Sequence, residues 1–453
     1  MSNPPSFRPI PRAEGHWLLG SAHEMRHRPH SFVAELGLRH GGLAQFRILH
    51  RRMIAVTHPD YLRHILLTQH DRYERSFHYR TSRAIIGRGL LTTDGAYWKM
   101  RRRQIQPAFR PDHVQRVVPA MNQAVNEMFA RWETAHRSGQ PISLTDEMQT
   151  LTLTVMCRAL LSVGIDSEAA RKFGAAVRDS LYVVRRKNTS LCPMPRWVPD
   201  RNNRALRATR DVLDEFLIAH LQPRLAPGVA PQTDIAQGIL DARDPETGEA
   251  LPWQSILDES KTLFSAGFET TSSMLAWALH RLSQHPEIAA VMHDEVDRVL
   301  AGRAPTWEDL PRLAYTAQVI NETMRLYPPV YSMGRACLED DELAGCRIRR
   351  GETLLLSIYG AHRTPEFWPE PLRFDPTRFS PGREWTKHAF LPFGFGKHLC
   401  IGNTFALAEA TIALALIGQR YRLVPTVALD VPIRAQVTLV PASPIPVRLE
   451  PRS

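Results

Sequence analysis

Cysteine is scarce in this chain of 453 residues: five, at positions 157, 192, 337, 346 and 400. They are scattered, odd in number and contain no C-x-x-C pair. This excludes a zinc ribbon and the dense disulfide framework of a small secreted domain, and fits a reducing cytoplasm. No internal repeat and no long Gly/Ser linker divides the chain, so one large domain over 1–453 is expected, with 43% hydrophobic residues to build its core. The opening MSNPPSFRPIPRAEGHWLLG carries prolines and charges where a signal peptide or membrane anchor needs an unbroken apolar run. No anchor and a cytoplasmic location are therefore expected. Lysine and arginine (57) exceed aspartate and glutamate (46), a net charge of +11. No recognised DNA- or RNA-binding module accompanies that excess, which turns attention from nucleic acid to an acidic protein partner.

What is present is mostly helical periodicity. Two short runs, 43–49 and 52–57, read as a hairpin. Apolar residues then recur at helical spacing near 97–109, 115–135, 145–163, 167–186 and 204–222. The segments 223–233 and 241–252 are rich in turn residues and read as connectors. Residues 253–284 form one long helical pattern, about 48 Å at 1.5 Å per residue. Short strands are expected at 346–358, a proline-rich meander at 364–382, and further short strands from Leu423 onward. The fold class is mainly α with a minor β part.

Near the C-terminus the chain reads FGFGKHLCIG, with Cys400 ahead of an apolar, helix-forming run from Thr404 to Ile417. A helix start draws a cysteine toward thiolate through its dipole and free N–H groups. Gly394, Gly396 and Gly402 permit tight turns and close approach of a flat ligand to the backbone. A thiolate so placed can be an axial ligand to haem iron; a lone cysteine in a turn can also be merely structural. Gly396-Lys397 is not a phosphate-binding loop, because Leu391 stands where its first glycine belongs and His398 replaces Ser/Thr.

The spacing Phe393, Gly396, His398, Cys400, Gly402 resembles the haem-binding loop of the cytochrome P-450 family, with His398 where most members have Arg. The resemblance spans nearly the whole chain. It implies a single haem domain, with haem b held between a long distal helix and the cysteine-loop helix, and dioxygen as co-substrate. It gives meaning to AGFETTSS, residues 266–273, inside the long helical pattern. There Gly267 costs about 1 kcal/mol relative to Ala, and an acid followed by two threonines invites local hydrogen bonds that can bend the helix. The family has an acid–alcohol pair over the haem, and Glu269 and Thr270 match it. The pair would relay protons to dioxygen and hydrogen-bond it.

Glu322 and Arg325, one turn apart, form an ordinary i,i+3 pair. In the family this E-x-x-R joins an arginine of a later meander, here Arg378 in FDPTRF, in a buried network that holds the cysteine loop; Thr377 replaces the commoner Glu. Haem propionates call for cations. Trp98 and Arg102 stand at i,i+4 on one helix face and, with Arg335 and His398, match propionate-binding positions. Arg101 and Arg103 read as a solvated basic face, and with Arg110 and Lys397 as docking charges for an electron donor. By resemblance, the substrate would meet Phe77, Ile85, Ile86, Leu90, Leu181, Phe264, Ala266, Val330, Met333 and Val437, an apolar set.

The expected function is haem-dependent monooxygenation: hydroxylation or epoxidation of an apolar small molecule, first a terpenoid or polyketide secondary metabolite, second a fatty acid. No flavin or nicotinamide domain follows the haem region, so a separate ferredoxin or flavodoxin with its reductase is the expected donor, and a monomer the expected state. A peroxide-using haem-thiolate enzyme and a non-enzymatic haem sensor are the alternatives. The Glu269–Thr270 pair argues against the first and the lack of an output domain against the second.

Overall fold

The computed structural model describes residues 7–165, 167–190, 194–426 and 430–452. It is 56% helical. The chain forms two compact units. One holds the residues up to Arg80 together with Arg325–Arg373 and Gly382–Cys400. The other holds Thr81–Met324, Phe374–Pro381 and the chain from Ile401 onward.

The first unit is built on a five-stranded sheet. Its strands run in the order Leu43–Ile48, Arg51–Val56, Thr353–Ser357, Ser332–Cys337 and Tyr73–Arg75. The first two are the expected hairpin, antiparallel with Leu43 opposite Val56. Alternation decides which face each side chain serves. Met53 and Ala55 pack with Phe32, Val33 and Leu36 of the helix Pro29–Arg39. Ile54 and Val56 join Leu62, Ile65, Leu354 and Leu356 on the other side. A strand covered on both faces has no need of polar residues, and Met53 to Val56 are all apolar.

The second unit is organised around the helix Trp253–Gln284, 32 residues long and bounded where the sequence pattern puts it. It packs against the helices Leu144–Leu161, Glu168–Asn188, Arg201–Leu221 and Asn403–Arg420. A helix buried on nearly every side is a core element. Phe173 stacks on Phe216 with ring centroids 4.3 Å apart and meets Phe264 edge-on at 4.8 Å, so three helices share one aromatic contact. Strand Pro446–Pro451 pairs with both Ile142–Ser143 and Tyr421–Pro425, and Ile433–Ala435 forms a hairpin with Leu439–Pro441. Among the described residues, no helix is long and apolar enough to cross a membrane.

The expected helices near 97–109 and 115–135 are Gly95–Ile105, closed by a 3-10 turn, and Pro111–Arg137. The strand Ser332–Cys337 was not legible. Its sequence SMGRAC has no β-branched or aromatic residue, and its conformation comes from antiparallel pairing with Thr353–Ser357.

Candidate functional site

The cysteine loop is held mainly by its own backbone. Gly394 donates to the Leu391 carbonyl at 3.1 Å, Leu399 to Gly396 at 3.1 Å and Cys400 to Phe393 at 3.0 Å. Residues Gly396–His398 make one 3-10 turn. Gly396 has φ +66°, and a Cβ there would lie 2.0 Å from the Leu66 carbonyl oxygen, so both conformation and space demand glycine. Gly402 is the N-cap of the helix Asn403–Arg420 and has open space where a side chain would sit. Cys400 therefore stands just ahead of the positive end of an 18-residue helix.

Its sulfur differs from those of the other described cysteines. Cys157, Cys337 and Cys346 are buried. Burial pushes the Cys157 thiol up to about 12 and Cys337 up to about 11, and raises Cys346. Cys400 is exposed. Cys192 lies outside the described residues.

A buried support stands behind the loop. The Leu391 N–H donates to His362 Nε2 at 2.9 Å, and His362 is fully buried. The His362 carbonyl accepts from Arg325 at 2.9 Å. The same guanidinium donates to Pro371 at 2.8 Å and Arg373 at 3.1 Å, and lies 5.2 Å from the Trp368 ring. Arg325 thus gathers three carbonyls, two from the meander and one on the histidine that holds the cysteine loop. Sequence reasoning missed His362. Glu322, also fully buried, accepts the Asp375 N–H at 2.9 Å and stands 3.5 Å from Arg378 Nε. Glu322 and Arg325 are fully buried, and Arg378 is half-buried.

In the long helix, Glu269 and Thr270 point differently because successive residues are turned about 100°. Glu269 is buried and accepts a hydrogen bond from the Thr438 hydroxyl. Burial lifts its carboxyl to about 7, against the lowering effect of that hydroxyl. Thr438 went unnoticed in the sequence because it lies 169 residues away. Thr270 donates to the Ala266 carbonyl at 2.6 Å, the local bond expected of a mid-helix threonine. Ala266 is exposed, while Gly267 and Thr270 are half-exposed, in a helix whose other central residues are buried. These three make an open stripe one helical turn long.

Of the expected propionate partners, Trp98 is buried and Arg102 half-buried, with its Nε donating to Gln106 at 3.2 Å. His398 is half-buried. Arg335 is 4% exposed, yet its guanidinium meets only the Gly334 carbonyl, at 3.0 Å, and no carboxylate of the described residues pairs with it. The solvated basic face is corrected at Arg101. That side chain is buried, donating to Gln104 at 2.9 Å and Ser255 at 2.8 Å, because its helix turns it toward the long helix. Arg103 is paired with Asp244 and Glu246, and Lys397 with Asp71, so neither is a bare docking charge.

The expected substrate set divides by exposure. Ala266 and Val437 are exposed, and Phe77, Val330 and Met333 half-buried. Leu90 and Leu181 are nearly covered, at 7% and 9%. Ile85, Ile86 and Phe264 are packed into the core, Phe264 against Phe173, and present almost no surface to a ligand.

A model of the cytochrome P-450 family matches residues 10–447. The chain belongs to that family. Its sequence is 35% identical over 416 residues to cyclooctat-9-en-7-ol 5-monooxygenase of Streptomyces melanosporofaciens, covering 90% of this chain and 88% of the relative. It is 34% identical to cyclooctatin synthase of the same organism, covering 96% and 94%, and 32% identical to pentalenene oxygenase of Streptomyces avermitilis, covering 92% and 91%. The crystal structure of the cytochrome P-450DA heme domain superposes with a TM-score of 0.90 at 28% identity, covering 99% of this chain and 98% of that one.

This cytochrome P-450 is a haem-thiolate monooxygenase, in a family that holds haem through a cysteine thiolate and uses dioxygen. Its residues fit that group. An exposed thiol stands at a helix start, an open stripe interrupts a buried helix, and buried Arg335 lacks, among the described residues, the anion that burial of a cation requires.

Proposed function

We propose that this chain binds haem b through Cys400 and oxygenates a terpenoid hydrocarbon or alcohol, using electrons from a separate ferredoxin and its reductase. The exposed Cys400 at the start of the helix Asn403–Arg420, set against three buried cysteines, is the observation that carries the reading. When bound, the haem supplies dioxygen activation and transfer of one oxygen atom.

The chain's own residues have separable tasks in this reading. Cys400 furnishes the thiolate. Arg102, Arg335, His398 and the Trp98 indole bind the propionates, and Arg335 gains the anion it lacks. Phe393 packs beside the thiolate, and Gly396 and Gly402 let the loop approach the ligand. Glu269 exchanges protons near neutral pH, where a group of pKa about 7 is both donor and acceptor. Thr270, on the open stripe, would hydrogen-bond dioxygen and pass protons to it. Ala266, Val330, Met333, Phe77 and Val437 offer apolar surface to the substrate.

The terpenoid class is favoured by the relatives: cyclooctat-9-en-7-ol 5-monooxygenase and pentalenene oxygenase are named for what they oxidise. The test is to supply the purified chain with a surrogate ferredoxin, its reductase and a nicotinamide donor, and to offer a panel of cyclic terpenes beside medium-chain fatty acids. Hydroxylated or epoxidised terpene is the expected product. Oxidation of fatty acids alone would overturn the substrate class, and turnover with peroxide but not with the redox chain would overturn the donor.

A further inference from the structure

The loop 87–94 lies between the helices Tyr79–Ile86 and Gly95–Ile105. It has no strand partner, yet it is tied to the long helix by two consecutive carboxylates. Asp258 accepts the Arg88 N–H at 2.7 Å, and Glu259 accepts the Leu90 N–H at 3.0 Å. The backbone comes close enough that side chains are excluded. A Cβ at Gly87 would lie 2.0 Å from the Asp258 carboxyl carbon, and one at Gly89 would lie 2.1 Å from Thr262 Oγ1. The loop also braces itself, Thr92 donating to the Gly87 carbonyl at 2.7 Å and Thr93 to Gly89 at 2.8 Å.

The same turn of the long helix reaches a second element. Lys261, 2% exposed, donates to Asp214 of the helix Arg201–Leu221 at 2.6 Å and stands 3.4 Å from Asp258. Burying carboxylates is costly unless hydrogen bonds compensate. Glu259 is fully buried, and among the described residues its Oε1 has no hydrogen-bond partner. A serine or threonine could cover one backbone N–H at less cost. A half-satisfied buried acid whose hydrogen bond goes to a loop amide is explained if the position of that loop matters.

We propose that Asp258 and Glu259 are positioning residues that fix the loop 87–93, and with it Leu90, in the conformation that shapes the substrate pocket. The inference rests on the expectation, carried by the family resemblance, that Leu90 of this loop meets substrate. Neither carboxylate touches substrate. They act through the Arg88 and Leu90 amides, while Lys261 ties the same turn to a neighbouring helix.

Hydrogen exchange on the full-length haem-loaded protein tests this. In the wild-type protein, peptides covering Arg88–Leu90 exchange slowly despite their irregular backbone; a fast-exchanging wild-type loop overturns the proposal by itself. Glu259→Leu removes the acceptor, and exchange at Leu90 rises about tenfold or more, as loss of one buried hydrogen bond implies. Glu259→Gln, which keeps a carbonyl acceptor, restores protection. Equal loss of protection in both variants overturns the proposal in favour of charge alone, and unchanged exchange in Glu259→Leu overturns it outright.

A titration with 4-phenylimidazole, followed in the haem spectrum, supplies the pocket readout. Its dissociation constant weakens in Glu259→Leu and recovers in Glu259→Gln. An altered loop with unaltered affinity would show that the loop does not shape the pocket. The carbon-monoxide spectrum of each variant separates failures: a wild-type protein without a thiolate band defeats the haem reading, whereas the exchange data judge the latch independently.

Discussion

The Thr438 hydroxyl donates to the Glu269 carboxylate, joining the turn of the Ile433–Ala435/Leu439–Pro441 hairpin to the middle of the long helix. Nearby, the Ser273 hydroxyl donates to the Leu439 carbonyl, so the hairpin meets the helix twice. The threonine steadies the ionised form of an acid that burial pushes toward the neutral one.

Removing that hydroxyl therefore raises the pKa of Glu269 above about 7. In Thr438→Val the shift should be about one to two pH units, the worth of one hydrogen bond to a charged group. If Glu269 gives up a proton in turnover, the rate falls as pH rises through its pKa, and that inflection moves to higher pH in the variant. A pH profile of product formation checks this; an unmoved inflection would show that Glu269 does not set it.

Thr270→Ala should bind haem and substrate normally and still consume reductant. Product per electron pair should fall several-fold while peroxide rises. Measuring both products beside reductant consumption tests the role of the alcohol. Unchanged coupling would reduce Thr270 to a helix residue whose hydroxyl serves only the Ala266 carbonyl.

Glu322→Ala leaves the Asp375 N–H without its acceptor and Arg378 without its carboxylate. Breaking a buried pair from one side costs about 3–5 kcal/mol. The variant should melt well below the wild type and be recovered with little haem. A wild-type melting temperature would mean that the pair is relaxed by solvent.

Glu409 makes a different prediction about pH. It is buried in the helix Asn403–Arg420, and among the described residues neither carboxylate oxygen has a hydrogen-bond partner. Burial raises its pKa well above the usual carboxylate value. A raised carboxyl keeps its proton in the folded state while the unfolded chain releases it, so stability is full below about pH 4.3 and is lost as pH climbs from there. Glu409→Gln should therefore gain about 1–3 kcal/mol at pH 8 and much less at pH 5. Melting curves at the two values decide it; an equal effect at both would show that the side chain is solvated.

Much of this was legible in the chain because the signals were local. The bounds of Trp253–Gln284 follow from one uninterrupted period closed by Pro252 and Pro286, and Cys400 announces itself by glycines within six residues. What escaped reading depends on distant partners. Thr438 and His362 are ordinary residues in sequence, and only folding brings them to Glu269 and Leu391. Arg101 read as a surface charge because its neighbours Arg102 and Arg103 are charged, while its helix turns it inward to Ser255. Ile85 and Phe264 show the converse limit: an apolar residue near a pocket-forming segment is as well suited to the core, and these two are buried there.

The most direct measurement is the absorption spectrum of the reduced, carbon-monoxide-bound protein, with Cys400→Ser beside it. Wild type should show the red-shifted Soret band of thiolate-ligated haem, and the serine variant should lose it while the rest of the fold stays intact by circular dichroism. A wild-type protein that loads haem without that band, or a serine variant that keeps it, would contradict Cys400 as the axial ligand.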